Sequence, residues 1–267
     1  MKKLIVSILD KLGYTIAKKK PATPVPSFSG LWFDITIDAR ELISPYLAFS
    51  KSQYSQDLFV VSQTGARTGG FFVEFGATDG VRLSNSWILE KKLGWSGILA
   101  EPARVWHADL AKNRGCAIDR RCVTDTSGQF VEFLETGNPT DQFEVSSPEL
   151  SSMAKYANSG DWASKIRVQN SIKYEVETIS LNDLLDQHGA PPVIDYMSID
   201  TEGSELLILR GFDFSVRKIR ILTVEHNHDE ATRQALYELL TKQGYSRVHP
   251  DISAADDWYV LSGAAGR

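Results

Sequence analysis

The stretch FFVEFGATDG, residues Phe71–Gly80, joins an apolar run to a glycine-rich turn that carries two acids, Glu74 and Asp79. It lacks the lysine that a P-loop needs after its last glycine, and it lacks the third glycine of a dinucleotide fingerprint. The missing glycine also disfavours an NAD-dependent oxidoreductase. A strand-end acid followed by this tight turn instead predicts a cofactor that lies against bare backbone at the carboxyl end of a strand.

A second acid, Glu101, ends the next predicted strand, SGILAEP, and Pro102 then forces the chain out of the strand. A carboxylate in this position can accept two hydrogen bonds from vicinal ribose hydroxyls. A cofactor with a ribose and no pyrophosphate fits both motifs. S-adenosylmethionine is such a molecule, and its sulfonium cation favours nearby acids such as Glu74 and Asp79.

Two later segments, SIDTEGSE and VEHNHDE, bring acids and a histidine to the ends of further predicted strands. Open α/β sheets bind ligands outside the carboxyl ends of their strands, so these side chains are predicted to face the reacting group. A histidine titrates near neutrality and suits the role of general base. We rank the candidate bases in the order His226, Asp200 and Glu202, and we expect Glu205, Glu225 and Asn227 to contact the acceptor.

Several of these assignments have a structural alternative. Acids suit the first turn of a helix, so Glu205 can satisfy helix-start N–H groups, and His228 with Asp229 can begin the next helix. A histidine at a strand end can also be a buried structural residue, which leaves the role of His226 open.

The same two segments offer oxygen and imidazole ligands to a divalent metal, Mg²⁺ or Mn²⁺, which would lower the pKa of a vicinal diol. Acids around a cationic cofactor need no metal, however, so we favour a site without one. The candidate ligands are Asp200, Glu225 and Asn227, and Glu202 and His226 could also supply ligand atoms.

Strands that alternate with helices must position these side chains. A helix is predicted over Tyr54–Gln63, before the strand GFFVEF, and AIDRRCV is predicted as the third strand. The order of elements predicts an α/β, Rossmann-like fold of right-handed βαβ units. We expect a mostly parallel sheet of about seven strands, helices on both faces, and a C-terminal antiparallel hairpin formed by YSRVHP and DDWYVLS.

A polar, irregular stretch, about residues 137–171, interrupts this alternation and predicts an insert on the acceptor side. Its aromatic side chains suit stacking on sugar faces, and Tyr156 and Trp162 are the candidates for that contact. The alternative is that these aromatics form a small satellite core.

Residues 1–20 place apolar side chains at helical spacing between lysines and predict a short basic amphipathic helix. Such a helix can lie on an anionic membrane surface, dock on a partner or a second copy, or pack on its own domain. The prolines of residues 21–30 predict a linker, so the main domain is expected to cover residues 31–267.

The chain has 267 residues, of which 42% are hydrophobic, and this suits the core of one α/β domain. A formal net charge of -5 provides no general basic field and disfavours nucleic acid as a partner. Cys116 and Cys122 form neither a metal pair nor a disulfide framework, which favours a reducing, cytoplasmic compartment. No apolar run in the sequence approaches the roughly 20 residues of a membrane span.

Three long stretches resemble the FkbM-type S-adenosylmethionine-dependent methyltransferases: FFVEFGATDGVRLSNSWILEKKLGWSGILAEP, RRCVTDTSGQFVEF and MSIDTEGSELLILRGF, with the tripeptide KNR between the first two. The resemblance runs from about Ser52 to Val260. Its most specific pieces are the SN pair after the glycine turn and the IDTEGSE segment. It implies the class I methyltransferase fold, and many family members O-methylate sugars in polysaccharides, glycolipids or macrolides.

The resemblance also implies roles for individual residues. Asn85 occupies the SN position and would hydrogen-bond the cofactor or fix the loop, unless it caps the next helix with Ser84. Asp125 would accept from the adenine amino group, unless its DTSG turn alone explains it. The residues expected around the cofactor are Glu74, Gly76, Thr78, Asp79 and Gly80 near the methionine half, Glu101 at the ribose, Thr124 and Asp125 at the adenine, and Asp200 at the same edge.

Together these features predict an S-adenosylmethionine-dependent O-methyltransferase that acts on a sugar hydroxyl of a polysaccharide, glycolipid or other glycoconjugate. A lipid-linked acceptor at the inner, cytoplasmic membrane face would give the basic N-terminal helix a purpose. Two rivals stay open. One is a methyltransferase acting on a small-molecule or protein hydroxyl or amine, and the other is a non-catalytic binding module with the same fold.

Overall fold

The computed structural model describes residues 28–137, 148–157 and 164–263 of the chain. The predicted N-terminal helix, most of the linker and Trp162 lie outside these ranges. The first described helix, α1 (Phe28–Asp34), begins inside the predicted linker. Leu31 in α1, the first residue of the predicted main domain, is fully buried against the core. No helix in the described ranges is long and apolar enough to cross a bilayer.

A twisted sheet of seven strands forms the centre of the described molecule. Its strands are apolar runs rich in aromatic and β-branched residues, which is typical of strands buried on both faces. The strands of both sheets, numbered along the chain, are β1 (Phe71–Phe75), β2 (Ser96–Ala100), β3 (Ala117–Asp119), β4 (Cys122–Thr124), β5 (Phe130–Thr136), β6 (Ser152–Met153), β7 (Ser171–Ser180), β8 (Val193–Ile199), β9 (Lys218–Glu225), β10 (Tyr245–Val248) and β11 (Asp256–Leu261).

The spatial order of the main sheet is β10-β11-β9-β8-β1-β2-β3. Strands β1, β2, β3, β8 and β9 are parallel, whereas β11 runs antiparallel to both β9 and β10. The sequence-based prediction of a mostly parallel seven-stranded sheet with a C-terminal hairpin is therefore confirmed. The order reverses between β8 and β1, and ligands of open α/β sheets bind at such a switch point.

Helices cover both faces of the main sheet. On one face Phe72 and Leu99 pack with the first five helices, and on the other Val73 and Ile98 pack with the last three. After α1, the helices are α2 (Ile37–Ile43), α3 (Gln56–Thr64), α4 (Trp87–Leu93), α5 (His107–Asn113), α6 (Ser164–Gln169), α7 (Leu181–Gln187), α8 (Glu205–Gly211) and α9 (Glu230–Lys242).

A second, four-stranded sheet with the order β4-β7-β5-β6 was not predicted. The stretch AIDRRCV was expected to be one strand, but it divides into β3 of the main sheet and β4 of the second. Asp119 accepts a hydrogen bond from the Arg121 N–H at 3.0 Å and turns the chain between the two. Strand β4 then pairs with β7, and Thr136 of β5 pairs with Ser171 of β7. The predicted insert is therefore a connection within this second sheet.

Candidate functional site

The glycine turn after β1 brings bare backbone against the end of β8. Gly76 has a φ of 74°, and a Cβ atom built on it would lie 2.4 Å from the carbonyl oxygen of Asp200. A side chain is excluded at this distance, so only glycine allows the two strand ends to approach this closely. Gly76 and Thr78 both line the cavity that opens beside the turn.

Glu101, immediately after β2, is held in place by two backbone N–H groups. Thr78 donates to its Oε2 and Ala103 to its Oε1, each at 2.8 Å. Burial raises the pKa of the Glu101 carboxyl to about 7, and repulsion from Glu135 adds to the shift. Each oxygen of a carboxylate offers more than one acceptor site, so Glu101 can still accept hydrogen bonds from a ligand in the cavity that it lines.

Glu74 of β1 anchors the loop that follows the turn. Its carboxylate accepts from the Ser84 and Ser86 hydroxyls and, at 2.7 Å, from the Asn85 N–H. The Asn85 amide nitrogen donates to Ser198 at 2.9 Å, so Asn85 does not cap α4. Its Oδ1 atom is buried and has no hydrogen-bond partner among the described residues. Because Asn85 lines the cavity, this oxygen is available to a ligand that donates.

Arg114 is a fully buried cation that the sequence did not single out. Its Nε donates to Glu90 at 2.5 Å, and its guanidinium also donates to the Gly80 carbonyl and to the Ser84 and Ser86 hydroxyls. A Cβ atom on Gly80 would lie 2.5 Å from the Arg114 side chain, so the glycine makes room for it. Arg114 lies within the KNR tripeptide, but sequence alone does not reveal its partners.

Three carboxylates meet at the carboxyl ends of β8 and β9. One oxygen from each of Asp200, Glu202 and Glu225 lies within 4.8 Å of the other two. Burial raises the pKa of the Asp200 and Glu225 carboxyls well above their usual values, and the neighbouring carboxylates add to both shifts. Arg167 donates to Glu202, as does the Asn227 amide at 3.3 Å. We call Asp200, Glu202 and Glu225 the acid cluster.

Tyr54 and Arg167 also line the cavity, and the sequence analysis identified neither as a site residue. Burial raises the pKa of the Tyr54 hydroxyl to about 12, and Asp256 and Glu225 add to the shift, so this hydroxyl stays protonated and can donate. Tyr54 was predicted to lie in a helix, which in fact begins at Gln56. No motif in the sequence marks either residue, because the tertiary fold alone brings them to the acid cluster.

His226 does not line the cavity that the described residues form. Its Nε2 lies 3.9 Å from Oδ1 of Asp257, and its Nδ1 accepts from the His228 N–H at 3.1 Å. Burial lowers the pKa of its imidazole. The geometry therefore does not support His226 as the first-ranked base and agrees with the structural alternative. Asp229 accepts from the first N–H groups of α9, as the helix-start alternative predicted.

Besides Gly80, which makes room for Arg114, three more predicted site residues lie outside the cavity wall built by the described residues. Glu205, the first residue of α8, accepts from the Thr201 and Gly203 N–H groups at 2.9 and 3.0 Å and so holds the loop that leads into the helix. Asp79 likewise accepts from two backbone N–H groups of its own turn. Tyr156 packs over Gly203 and against the small core of the second sheet, as the satellite-core alternative predicted.

On the side predicted for adenine, β4 presents Cys122 and Val123 to the cavity. The Thr124 hydroxyl is instead engaged in hydrogen bonds with the turn that follows it. Asp125 is exposed and packs against Gly211. The described geometry therefore does not bring Thr124 and Asp125 to the cavity, and it agrees with the turn alternative for Asp125.

The cavity has a volume of about 790 Å³, within the range of about 300–1,000 Å³ that ligand sites occupy. Its wall combines strand ends of the main sheet with apolar side chains of the second sheet, among them Phe133 and Met153. The structure thus brings one group of predicted site residues together around a common space. These are Glu74, Gly76, Thr78, Asn85, Glu101, Asp200, Glu202, Glu225 and Asn227.

Comparison with solved structures finds a similarity to a chain titled "delta-N METTL16 MTase domain". The two share 13% sequence identity with a TM-score of 0.35, over 97% of this chain and 93% of that chain. No curated protein matches the sequence.

A family model described as the methyltransferase FkbM domain matches residues 74–247. The matched span starts at Glu74, contains Glu101 and the whole acid cluster, and covers more than half of the chain. The main sheet also has the seven mostly parallel strands and the C-terminal antiparallel hairpin that the sequence predicts. The chain is therefore a Rossmann-like methyltransferase. It belongs to the FkbM methyltransferase family, whose methyl donor is S-adenosylmethionine.

Proposed function

We propose that this methyltransferase acts on a hydroxyl group, and that the hydroxyl belongs to a sugar of a polysaccharide, glycolipid or other glycoconjugate. One observation carries the proposal. Glu101, the unsatisfied Oδ1 of Asn85 and the acid cluster all face a single cavity. That cavity offers acceptors for a nucleoside cofactor and carboxylates for a hydroxyl-bearing acceptor.

The residues present fit S-adenosylmethionine. Gly76 lines the cavity with bare backbone, because a side chain there would collide with the backbone at the end of β8. Asn85 Oδ1 can accept from the amino group of the cofactor, and Glu101 can accept from its ribose hydroxyls. When bound, the cofactor would supply a methyl group whose bond to the cationic sulfur breaks as the carbon bonds to an acceptor oxygen.

The protein must then align the acceptor and accept its proton. Alignment can lower the barrier by about 7–11 kcal/mol, and a positioned base adds on the order of 10²–10⁴-fold in rate. We assign the base to the acid cluster, and within it to Asp200, which directly follows β8, because these carboxyl groups line the cavity and His226 does not. The Tyr54 hydroxyl, which stays protonated, can donate to an acceptor oxygen.

A saccharide suits the polar end of the cavity. Carboxylates accept from sugar hydroxyls, while the Asn227 amide and the Arg167 guanidinium supply donors that are already oriented by Glu202. Groups held in this way recognise hydroxyl-rich ligands with little loss of side-chain freedom on binding.

Titration calorimetry with S-adenosylmethionine tests the cofactor site. We expect the wild-type protein to bind, and Glu101→Ala to raise the dissociation constant at least tenfold, because charge-assisted hydrogen bonds of roughly 1.5–3 kcal/mol are lost. Glu132→Ala is the control, since Glu132 is an exposed carboxylate on the second sheet, paired with Lys173. If the wild-type protein failed to bind the cofactor, the non-catalytic alternative would stand instead.

Incubation with isotopically labelled cofactor and a panel of glycans tests the acceptor. Mass spectrometry should detect glycans that have gained one methylene, and Asp200→Asn should lower turnover by about a hundredfold or more while cofactor binding survives. Label that appears only on small molecules or proteins would replace the saccharide assignment.

A further inference from the structure

The acid cluster crowds three carboxyl groups at one end of the cavity. An oxygen of each lies within 4.8 Å of the other two, and Arg167 pairs with one of them, Glu202. Two other arginines in the cavity wall already have acidic partners, Arg82 with Glu149 and Arg121 with Asp119. Like charges this close repel strongly where water is excluded.

A second observation concerns hydrogen bonding rather than charge. Glu225 is only 8% exposed, and its Oε2 atom has no hydrogen-bond partner among the described residues. Burying a carboxylate oxygen without a hydrogen-bond partner is unfavourable, because the oxygen loses water and gains nothing in its place. Glu225 lines the cavity, so this oxygen is available to a ligand there.

We propose that Asp200, Glu202 and Glu225 bind one divalent cation of the Mg²⁺ or Mn²⁺ type. Oxygen-only ligand sets favour such hard cations over softer metals, and a cation bound by a few carboxylates retains positions for water or for acceptor oxygens. The Asn227 amide and the Arg167 guanidinium both donate to Glu202 and orient it toward its neighbours.

Cation binding as such is independent of methyl transfer. Its role in the reaction rests on the proposed function: the ion would hold the acceptor hydroxyl and lower the pKa of that hydroxyl, so that a weaker base suffices. The fold alone brings the three carboxyl groups together, without any contribution from the cofactor. The cation is therefore expected to bind whether or not S-adenosylmethionine is present.

The test is a titration of chelator-treated, full-length protein with Mn²⁺ in the absence of cofactor, in which electron paramagnetic resonance reports the free ion. We expect one saturable site per chain that Mg²⁺ competes for. Glu225→Gln, which keeps the size of the side chain, should weaken Mn²⁺ binding tenfold or more, and Asp200→Asn should do the same. Glu132→Gln, on the exposed face of the second sheet, is the matched control and should bind like the wild type.

Absence of a saturable site in the wild-type protein below millimolar Mn²⁺ would overturn the proposal. Equal stoichiometry and affinity in Glu225→Gln and the wild type would do so as well. Calorimetry with S-adenosylmethionine, carried out on the same variants, shows whether each one is folded. It also separates the two proposals, since the cofactor can bind while Mn²⁺ does not, and the reverse.

Discussion

Glu101 combines a place at the ligand cavity with a pKa near neutrality, so its charge changes within an accessible pH range. Burial raises that pKa to about 7 and therefore favours the protonated carboxyl below this pH. Ribose hydroxyls donate best to the ionised form, which predominates above pH 7. Cofactor affinity is accordingly expected to depend on the state of this one residue.

We predict that the dissociation constant of S-adenosylmethionine rises as the pH is lowered through 7. If the protonated form binds weakly, the change between pH 8 and pH 6 should be about tenfold. Calorimetry across this range measures it. Glu101→Gln has no proton to gain and should bind weakly with little pH dependence, so an equal slope in both proteins would remove Glu101 as the cause.

Gly76 makes a second prediction at the scale of one residue. Gly76→Ala should weaken cofactor binding and lower the free energy of unfolding, because its Cβ would lie 2.4 Å from the Asp200 carbonyl oxygen. Gly128 is the control: it has the same φ of 74°, and a Cβ there would meet nothing within 4 Å among the described residues.

Urea unfolding and calorimetry compare the two alanine variants. Gly128→Ala should cost only the left-handed backbone penalty, about 1–2 kcal/mol, and leave cofactor binding intact. Gly76→Ala should cost more. Equal losses in both variants would show that the close approach of β1 and β8 contributes nothing.

At the scale of elements, Arg114 connects the end of α5 to the loop between β1 and α4. Its side chain is fully buried and bonds Glu90, Gly80 and the two serines that also bond Glu74. The position of Asn85 in that loop therefore depends on a residue from another element. These hydrogen bonds hold the loop in place, so Asn85 can present its unpaired Oδ1 atom to the cavity.

We predict that Arg114→Met lowers the free energy of unfolding by about 3 kcal/mol, because buried acceptors lose their cationic partner. Lys173→Met is the control. It breaks an ion pair whose side chains are 60% and 52% exposed, and it should cost less than about 1 kcal/mol. Urea unfolding measures both, and a similar small loss in each would mean that Arg114 does not stabilise the loop.

The end of β9 shows how the period of a strand separates two neighbouring candidate residues. Successive side chains of a strand point to opposite faces, so once Glu225 faces the cavity, the next residue is directed away from it. His226 follows this rule and meets Asp257 instead. In the sequence, the pKa of histidine favoured His226 as the base. The alternation of side chains along the strand instead directs Glu225 to the cavity.

For the whole molecule, the alternation of strands and helices was sufficient to predict the main sheet and its C-terminal hairpin. It was also sufficient to place Glu101 and Asp200 at the edge where ligands bind, because parallel strands end on the same side. The second sheet could not be predicted in this way. Its strand β4 follows β3 after a short turn, and only the distant pairing of Cys122–Thr124 with β7 separates the two.

The cavity wall shows the same limit. Tyr54 and Arg167 lie far apart in the chain from the acid cluster that they border, and no spacing rule connects them to it. Asn85, in contrast, could be identified because the SN pair is part of a local motif. Local signals thus locate residues that follow the strand ends, and tertiary packing decides which distant residues complete the cavity wall.

The residues that match the family model, 74–247, do not include every strand of the main sheet. Strand β11 lies beyond residue 247 yet pairs with both β9 and β10, so it occupies an interior place in the main sheet. Tyr54 precedes the matched residues by a whole helix. A protein shortened to residues 74–247 would keep Glu74 and Glu101. It would open the sheet beside β9, and it would lose Tyr54 from the wall of the cavity.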